Sequence, residues 1–363
     1  MDFKTALISF ISKSLNRKRT SSVQFLLIMP NPPSTKSTTS SQATAEPHAD
    51  PHPEPGPDWE VATQIWGVAW QVHWAGFGII FSMLALRSFI ALAQVRKREG
   101  FGRKPLVVAV NVLVLTQGVT RAFFLFLDPY ESRTNGLKVP PWLTNLLYGI
   151  TFPCLTSSFC LIHLAFIEVS KVQIGSKKLQ SVSFLSVVIT IHFAIVVTAE
   201  IVTAIKAELT PLIIVCQSLF ILWGFLLSTS FIYSGLKVIQ HDLTVQRELQ
   251  MVQIGTADRV GRPRQATGTI KVAKITLATS ILGFACCGLQ LYSLFGVYSL
   301  YSKVVNPAPW PWWTYQTCFR LVEFFMACTI AYSVMQRSSV REISKTNNHS
   351  NDISKDIIKP GNC

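Results

Sequence analysis

Three ionisable side chains, Arg121, Arg320 and Glu323, fall deep inside apolar blocks of this sequence. Charge in a hydrocarbon environment is costly, so such residues face a protein interior, pair with one another, and mark functional or structural polar sites. Counting about 1.5 Å per residue from the nearer block end places Arg121 about 9 Å deep, Arg320 about 10 Å and Glu323 about 15 Å. Arg320 and Glu323 are three residues apart and share one helical face. Glu323 reaches Arg121 if the second and seventh blocks pack together. Two kinds of chemistry suit the trio: a buried polar clamp between helices, or a binding site for an ion or ligand. Gln117, Thr120, Gln316 and Thr317 lie within a turn of the arginines, while Asn111, His163 and His192 sit at other depths as candidate interhelical hydrogen-bonders.

The elements that must position these residues are seven apolar blocks, each near the ~20 residues that cross a hydrocarbon core. They run from Val72 to Ala93, Leu106 to Leu127, Leu143 to Val169, Val182 to Ile205, Leu212 to Tyr233, Ile275 to Tyr298 and Trp313 to Met335. The blocks are continuously apolar rather than alternating, which excludes the strands of a membrane barrel. Helices satisfy their own backbone groups, as lipid demands. The fold expected is therefore all-α: a polytopic membrane protein with a seven-transmembrane-helix bundle over 59–336. The whole chain of 363 residues is 49% hydrophobic and only 14% charged, where a soluble domain carries about 25% charged residues. Pro153 should kink the third helix, with Ser157, Ser158 or a water meeting the freed carbonyl.

Loop charge orients the bundle. The set Arg96, Lys97, Arg98, Arg103, Lys104, Lys171, Lys177, Lys178, Lys237, Arg247, Arg259, Arg262, Arg264, Lys271 and Lys274 lies on one side, against Arg133, Lys138, Lys206 and Lys303 on the other. The positive-inside rule puts the larger set in the cytosol, the N-terminus outside and the C-terminus inside. Trp66, Trp70 and Trp74 recur every four residues, Trp142 opens the third block, and Trp310, Trp312 and Trp313 open the last. Indoles prefer the headgroup level, so these read as interface anchors; an aromatic-lined ligand mouth is the alternative. Arg87, Glu168 and Glu200 lie near block ends and are expected to reach water.

Outside the bundle, residues 1–58 read as a disordered leader followed by a proline-rich segment that cannot bury enough apolar area to fold. Residues 337–363 form a cytosolic tail. Leu236 to Ile254 continues the fifth helix, and Gly255 to Gly268 reads as a flexible basic linker. The 236–274 loop is the expected contact surface. Anionic inner-leaflet lipid is attracted to Arg259, Arg262 and Arg264, and a cytosolic protein partner is the other reading. The net charge of +14 is split into short clusters between apolar blocks, which argues against nucleic acid. All cysteines but Cys363 fall in apolar blocks, so they read as small core residues rather than disulfide partners.

Missing motifs narrow the activity. No Asp lies within a block, which argues against an intramembrane aspartyl protease or an Asp-based proton pump. The seventh block has no Lys for a retinal Schiff base. There is no zinc-type trio of His and carboxylate, no G-x-S-x-G and no Gly-rich phosphate loop. Glu168-Val169-Ser170-Lys171 and Ala331-Tyr332-Ser333 do not match the switch motifs of rhodopsin-type receptors. The chain is therefore expected to be no enzyme and to need no cofactor or metal.

Three strings resemble the membrane domain of proline-rich transmembrane proteins 3 and 4. They are Pro57-Asp58-Trp59-Glu60-Val61-Ala62-Thr63-Gln64-Ile65-Trp66-Gly67-Val68-Ala69-Trp70, Phe124-Leu125-Phe126-Leu127-Asp128-Pro129-Tyr130 and Arg320-Leu321-Val322-Glu323-Phe324. The similarity runs from about Trp59 to Gln336. It implies a multi-pass membrane protein with a proline-rich extracellular N-terminal region and no assigned biochemical activity, and it supplies no ligand residues. The proline-rich segment here is short for that family. The functional reading is a non-catalytic, receptor-like membrane protein of the plasma membrane or an endomembrane. The alternatives are a structural or trafficking protein without a small-molecule site and, third, a transporter or channel.

Overall fold

A computed structural model describes residues 56–97, 104–132, 139–170, 182–206, 211–255, 264–297 and 306–357. The expectations for residues 1–55, for Arg259 and Arg262, and for the side chains of Glu168 and Arg264 lie outside what is described.

Among the described residues the structure is all-helical, with nine α-helices: α1 Trp59–Trp66, α2 Val68–Lys97, α3 Lys104–Leu127, α4 Pro141–Gly149, α5 Thr151–Ser170, α6 Val182–Ile205, α7 Pro211–Gly255, α8 Arg264–Tyr292 and α9 Pro309–Ile357. Seven stretches are long and apolar enough to cross a membrane: Val68–Val95, Pro105–Glu131, Pro141–Ile167, Ser183–Ile205, Ile214–His241, Ala273–Val297 and Pro309–Val334. Large apolar side chains such as Val72, Ile79, Met83, Leu86 and Ile90 point outward from α2. That spacing follows one face of a helix, and only a bilayer makes such a face stable.

The third span is the centre of the bundle: 78% of its most apolar window is buried, against 17% for the fourth. Around it, α2 packs along α3, α7 along α8, and α9 touches α2, α3, α5 and α8. The α2–α3 seam is tight because position 118 lacks a side chain. A Cβ there would lie 2.9 Å from the Phe81 carbonyl oxygen and 3.0 Å from the Ala85 Cβ.

Three details depart from expectation. The third span is two helices, α4 and α5, that meet at Ile150. Pro153 has no N–H to offer the carbonyl four residues back, at Gly149, so the ladder breaks a turn before the proline itself. Neither serine repairs the break: Ser158 donates to the Leu155 carbonyl at 2.9 Å, and the Ser157 hydroxyl has no partner. Second, the end of the expected linker over Gly255 to Gly268 is helical, because α8 already starts at Arg264. The described residues of the 236–274 region are therefore helical, in α7 to Gly255 and in α8 from Arg264. Third, Glu200 does not reach water; it is 5% exposed and lies beside Gly149. The helix of the seventh span, α9, also continues through most of the tail, to Ile357.

Candidate functional site

Arg121 on α3 and Arg320 and Glu323 on α9 converge on one carboxylate. Arg121 Nη2 is 3.0 Å from Glu323 Oε1, and Arg320 Nη1 is 2.5 Å from Glu323 Oε2. Residue exposures are 0%, 0% and 1% in that order. Glu323 Oε1 also accepts from Arg121 Nε at 3.3 Å and from Gln117 Nε2 at 3.2 Å. Both carboxylate oxygens are thus occupied by charge-assisted bonds, the condition under which a buried charge is tolerable.

The arginines reach further partners. Arg121 Nη2 donates to the Thr151 hydroxyl, which donates to the Tyr148 carbonyl at 2.8 Å. This ties α3 to the first residue of α5, beside the break created by Pro153. Arg320 Nη2 donates to Gln316 Oε1 at 3.3 Å, and its Nε donates to the Tyr130 hydroxyl at 3.1 Å. Tyr130 OH lies 3.2 Å from His73 Nε2, and His73 Nδ1 lies 2.9 Å from Thr317 Oγ1. One assignment of protons satisfies the whole run. Arg320 donates to the tyrosine oxygen, the tyrosine O–H donates to Nε2, and Nδ1–H of a neutral imidazole donates to Thr317.

Two guanidinium groups face one carboxylate, so the cluster carries a net positive charge. Aromatic faces offset the excess. The Tyr148 ring is 5.1 Å from the Arg121 guanidinium carbon and 5.3 Å from that of Arg320, and Phe124, Phe152, Tyr130 and Phe319 stand within 6 Å of one or the other.

Tyr130 is held unusually. It has φ of 56° and Glu131 follows with φ of 57°. A non-glycine residue in this left-handed region costs on the order of 1–3 kcal/mol and persists only where its surroundings over-determine it. Here they do: Tyr130 bonds two side chains and packs against Trp70, His73, Phe124 and Trp312.

The tryptophans correct the anchor reading. Trp66, Trp70 and Trp312 are 4%, 8% and 1% exposed, so their indoles pack inside the protein instead of facing lipid headgroups. Trp66 stacks on Trp312 with centroids 5.7 Å apart, Trp59 meets Trp312 at 5.3 Å, and Trp70 stacks on His73 at 5.6 Å. Asp58 caps α1 by accepting from the amides of Glu60 and Val61, and Gly67, at φ of 50°, turns the chain from α1 into α2. This turn lets Trp59 and Trp66 on α1 meet Trp70 on α2. Trp142 and Trp310 remain about half exposed, as interface anchors would be.

The residues added to the expected trio are His73, Tyr130, Tyr148 and Thr151. Among the other polar candidates, His163 bonds Ser230 at 3.1 Å between α5 and α7, and His192 bonds Thr156 at 3.2 Å between α6 and α5. Asn111 instead donates to the Val107 carbonyl of its own helix at 2.8 Å.

The class defined by these observations is a multi-pass helical membrane protein with seven candidate spans, four of which, the first, second, third and seventh, meet at a buried ionic and aromatic cluster. A family model described as "Proline-rich transmembrane protein 3 domain" matches residues 43–350, and the chain belongs to that family. It is similar to proline-rich transmembrane protein 4 of Mus musculus, 26% identical over 287 residues covering 75% of this chain and 29% of the relative. The figures are the same for the Rattus norvegicus protein. For the Homo sapiens protein they are 26% over 284 residues, 75% of this chain and 30% of the relative. The chain thus spans less than a third of the length of these curated relatives. The three strings that carry the family resemblance supply Trp59, Trp66 and Trp70, Tyr130, and Arg320 with Glu323, and they meet in space at this cluster.

Proposed function

We propose that the chain is a non-catalytic membrane protein in which the Arg121–Glu323–Arg320 cluster is a structural clamp, holding α2, α3, α5 and α9 in one arrangement. The supporting observation is closure: the three side chains are at most 1% exposed, every Glu323 oxygen is bonded, and Tyr130 and His73 join the cluster to packed tryptophans. A ligand site of comparable charge would keep an access route. The charge asymmetry of the loops supports an N-terminus outside and a C-terminus in the cytosol of a plasma-membrane or endomembrane protein. Anionic inner-leaflet lipid at Arg259, Arg262 and Arg264 belongs to the same reading.

A receptor-like role is the second reading. It is favoured by α7 and α8, which extend past their spans to Gly255 and from Arg264 on the side assigned to the cytosol. Such extensions offer a partner a rigid helical surface.

Glu323→Gln tests both in one experiment, with surface and total expression measured beside constitutive coupling in cells. A clamp predicts reduced yield and thermal stability. A ligand site predicts near-normal folding with a lost signal.

A further inference from the structure

The Pro153 break leaves a second feature, remote from the clamp. The fourth span, α6, takes most of its contact with the third span from the short segment α4, and much less from α5. Along α5 it stands off, and a groove of about 150 Å³ opens between α5, α6 and α7. Its walls are apolar, including Val188, Ile195, Leu219 and the ring of Trp223. Two polar side chains, Ser157 and His192, also line it.

Both polar groups are incomplete. Ser157 is 1% exposed, and its hydroxyl bonds nothing. His192 Nδ1 lies 3.2 Å from Thr156 Oγ1. The Thr156 hydroxyl is also 3.1 Å from the Phe152 carbonyl and 3.3 Å from that of Pro153; with its proton on either carbonyl, its oxygen accepts from Nδ1–H. In that arrangement Nε2 carries the lone pair, and Nε2 has no partner. Two residues lining the groove thus hold a buried, unbonded ring nitrogen and a buried, unbonded hydroxyl in apolar surroundings. His192 is nine residues past Ser183, about 14 Å along the helix axis, well inside the hydrocarbon layer. Unmet polar groups are expensive at that depth.

We infer that this groove binds a membrane-borne lipophile through a ring that carries a single hydroxyl. The hydroxyl donates to His192 Nε2 and accepts from Ser157 Oγ–H, completing both groups at once. The volume fits a ring: an apolar cavity of about 150 Å³ accommodates benzene. Trp223 supplies a flat wall, and its own N–H is already used on Cys160 Sγ at 3.2 Å. The groove-lining residues Ile191 and Leu222 are more than half exposed, so access is lateral, from lipid. A sterol's hydroxylated end ring and a free alkylphenol share this chemistry.

The test uses the full chain in lipid nanodiscs, with tritiated cholesterol and tritiated 4-octylphenol as probes and their O-methyl ethers as blocked controls. Saturable binding of at least one probe is expected, lost on O-methylation. Cholesterol alone would assign the site to membrane sterol; octylphenol alone would assign it to a free phenolic lipophile. Leu219→Trp should abolish binding by filling the groove. Ser157→Ala, which breaks no bond in the fold, should weaken it about five- to tenfold, the value of one hydrogen bond. Equal binding of the ethers, binding unchanged by Leu219→Trp, saturable binding of dioleoylglycerol in place of both ring probes, or no saturable binding at all would overturn the inference.

Discussion

Replacing Glu323 with alanine should damage the bundle more than replacing either arginine with an uncharged residue. The substitution removes the acceptor for four hydrogen bonds, from Gln117 Nε2, Arg121 Nε, Arg121 Nη2 and Arg320 Nη1. It also leaves two guanidinium groups, each 0% exposed, with no carboxylate between them. Removing one partner of a buried ion pair costs about 3–5 kcal/mol because the other charge stays behind. A loss of that size should lower Tm by about 10 °C. Glu323→Gln keeps the shape and an acceptor oxygen and should lose about half as much. Arg320→Gln should be milder still, because it leaves Arg121 and Glu323 as a neutral pair. The ranking follows from the net charge of the cluster rather than from contact number. The assay is thermal unfolding read by a thiol-reactive dye, since Cys154, Cys160, Cys286 and Cys287 are free and buried. A Glu323→Ala protein that melts within about 2 °C of wild type, or an Arg320→Gln protein that melts below Glu323→Ala, would refute the reasoning.

Other consequences follow from single contacts. Tyr130→Phe removes the hydroxyl that joins Arg320 to His73 and should cost about 1–2 kcal/mol; unchanged melting would show that the hydroxyl is idle. Gly118→Leu places a side chain where the Phe81 carbonyl and Ala85 already stand and should lower folded yield sharply, whereas Gly76→Leu, at a position with open space around it, should not; equal yields would contradict the tight α2–α3 seam. Asp58→Ala removes the α1 cap and should cost about 1 kcal/mol, seen as faster hydrogen exchange confined to residues 59–66. A tag near Ala45 should be reachable by antibody on intact cells, if the protein is at the cell surface, while a tag after Cys363 should need permeabilisation; the reverse pattern would overturn the proposed orientation.

The spans were readable in the sequence because lipid imposes a simple rule: about twenty apolar residues in a row, whatever their partners. The meeting of Arg121, Arg320 and Glu323 was readable for a related reason, since the cost of burying charge admits few arrangements and the three had compatible depths. His73, Tyr130, Tyr148 and Thr151 were not. His73 and Tyr130 stand at or just past the end of an apolar block, where polar and aromatic residues normally meet the interface, and nothing in the spacing of Tyr148 and Thr151 separates an inward from an outward face. Trp66 and Trp70 show the same ambiguity. Their every-fourth-residue spacing defines a stripe but not which side it faces, and the turn at Gly67, which folds α1 into contact with Trp312, is a tertiary feature. Glu200 was misplaced because its nearness to a helix end says nothing about Gly149, whose missing side chain makes room for it. The break before Pro153 was legible as a kink, though its position, at the carbonyl the proline cannot bond, needed the backbone.

The clamp itself is tested most directly by a double-mutant cycle between Arg121 and Glu323, using Arg121→Gln, Glu323→Gln and the pair, with unfolding free energies measured in one detergent. A structural ion pair across α3 and α9 predicts a coupling of about 2 kcal/mol or more, with the double variant more stable than the sum of the single losses allows. Coupling within about 0.5 kcal/mol of zero would mean that the two side chains do not hold the helices together, and would contradict the clamp.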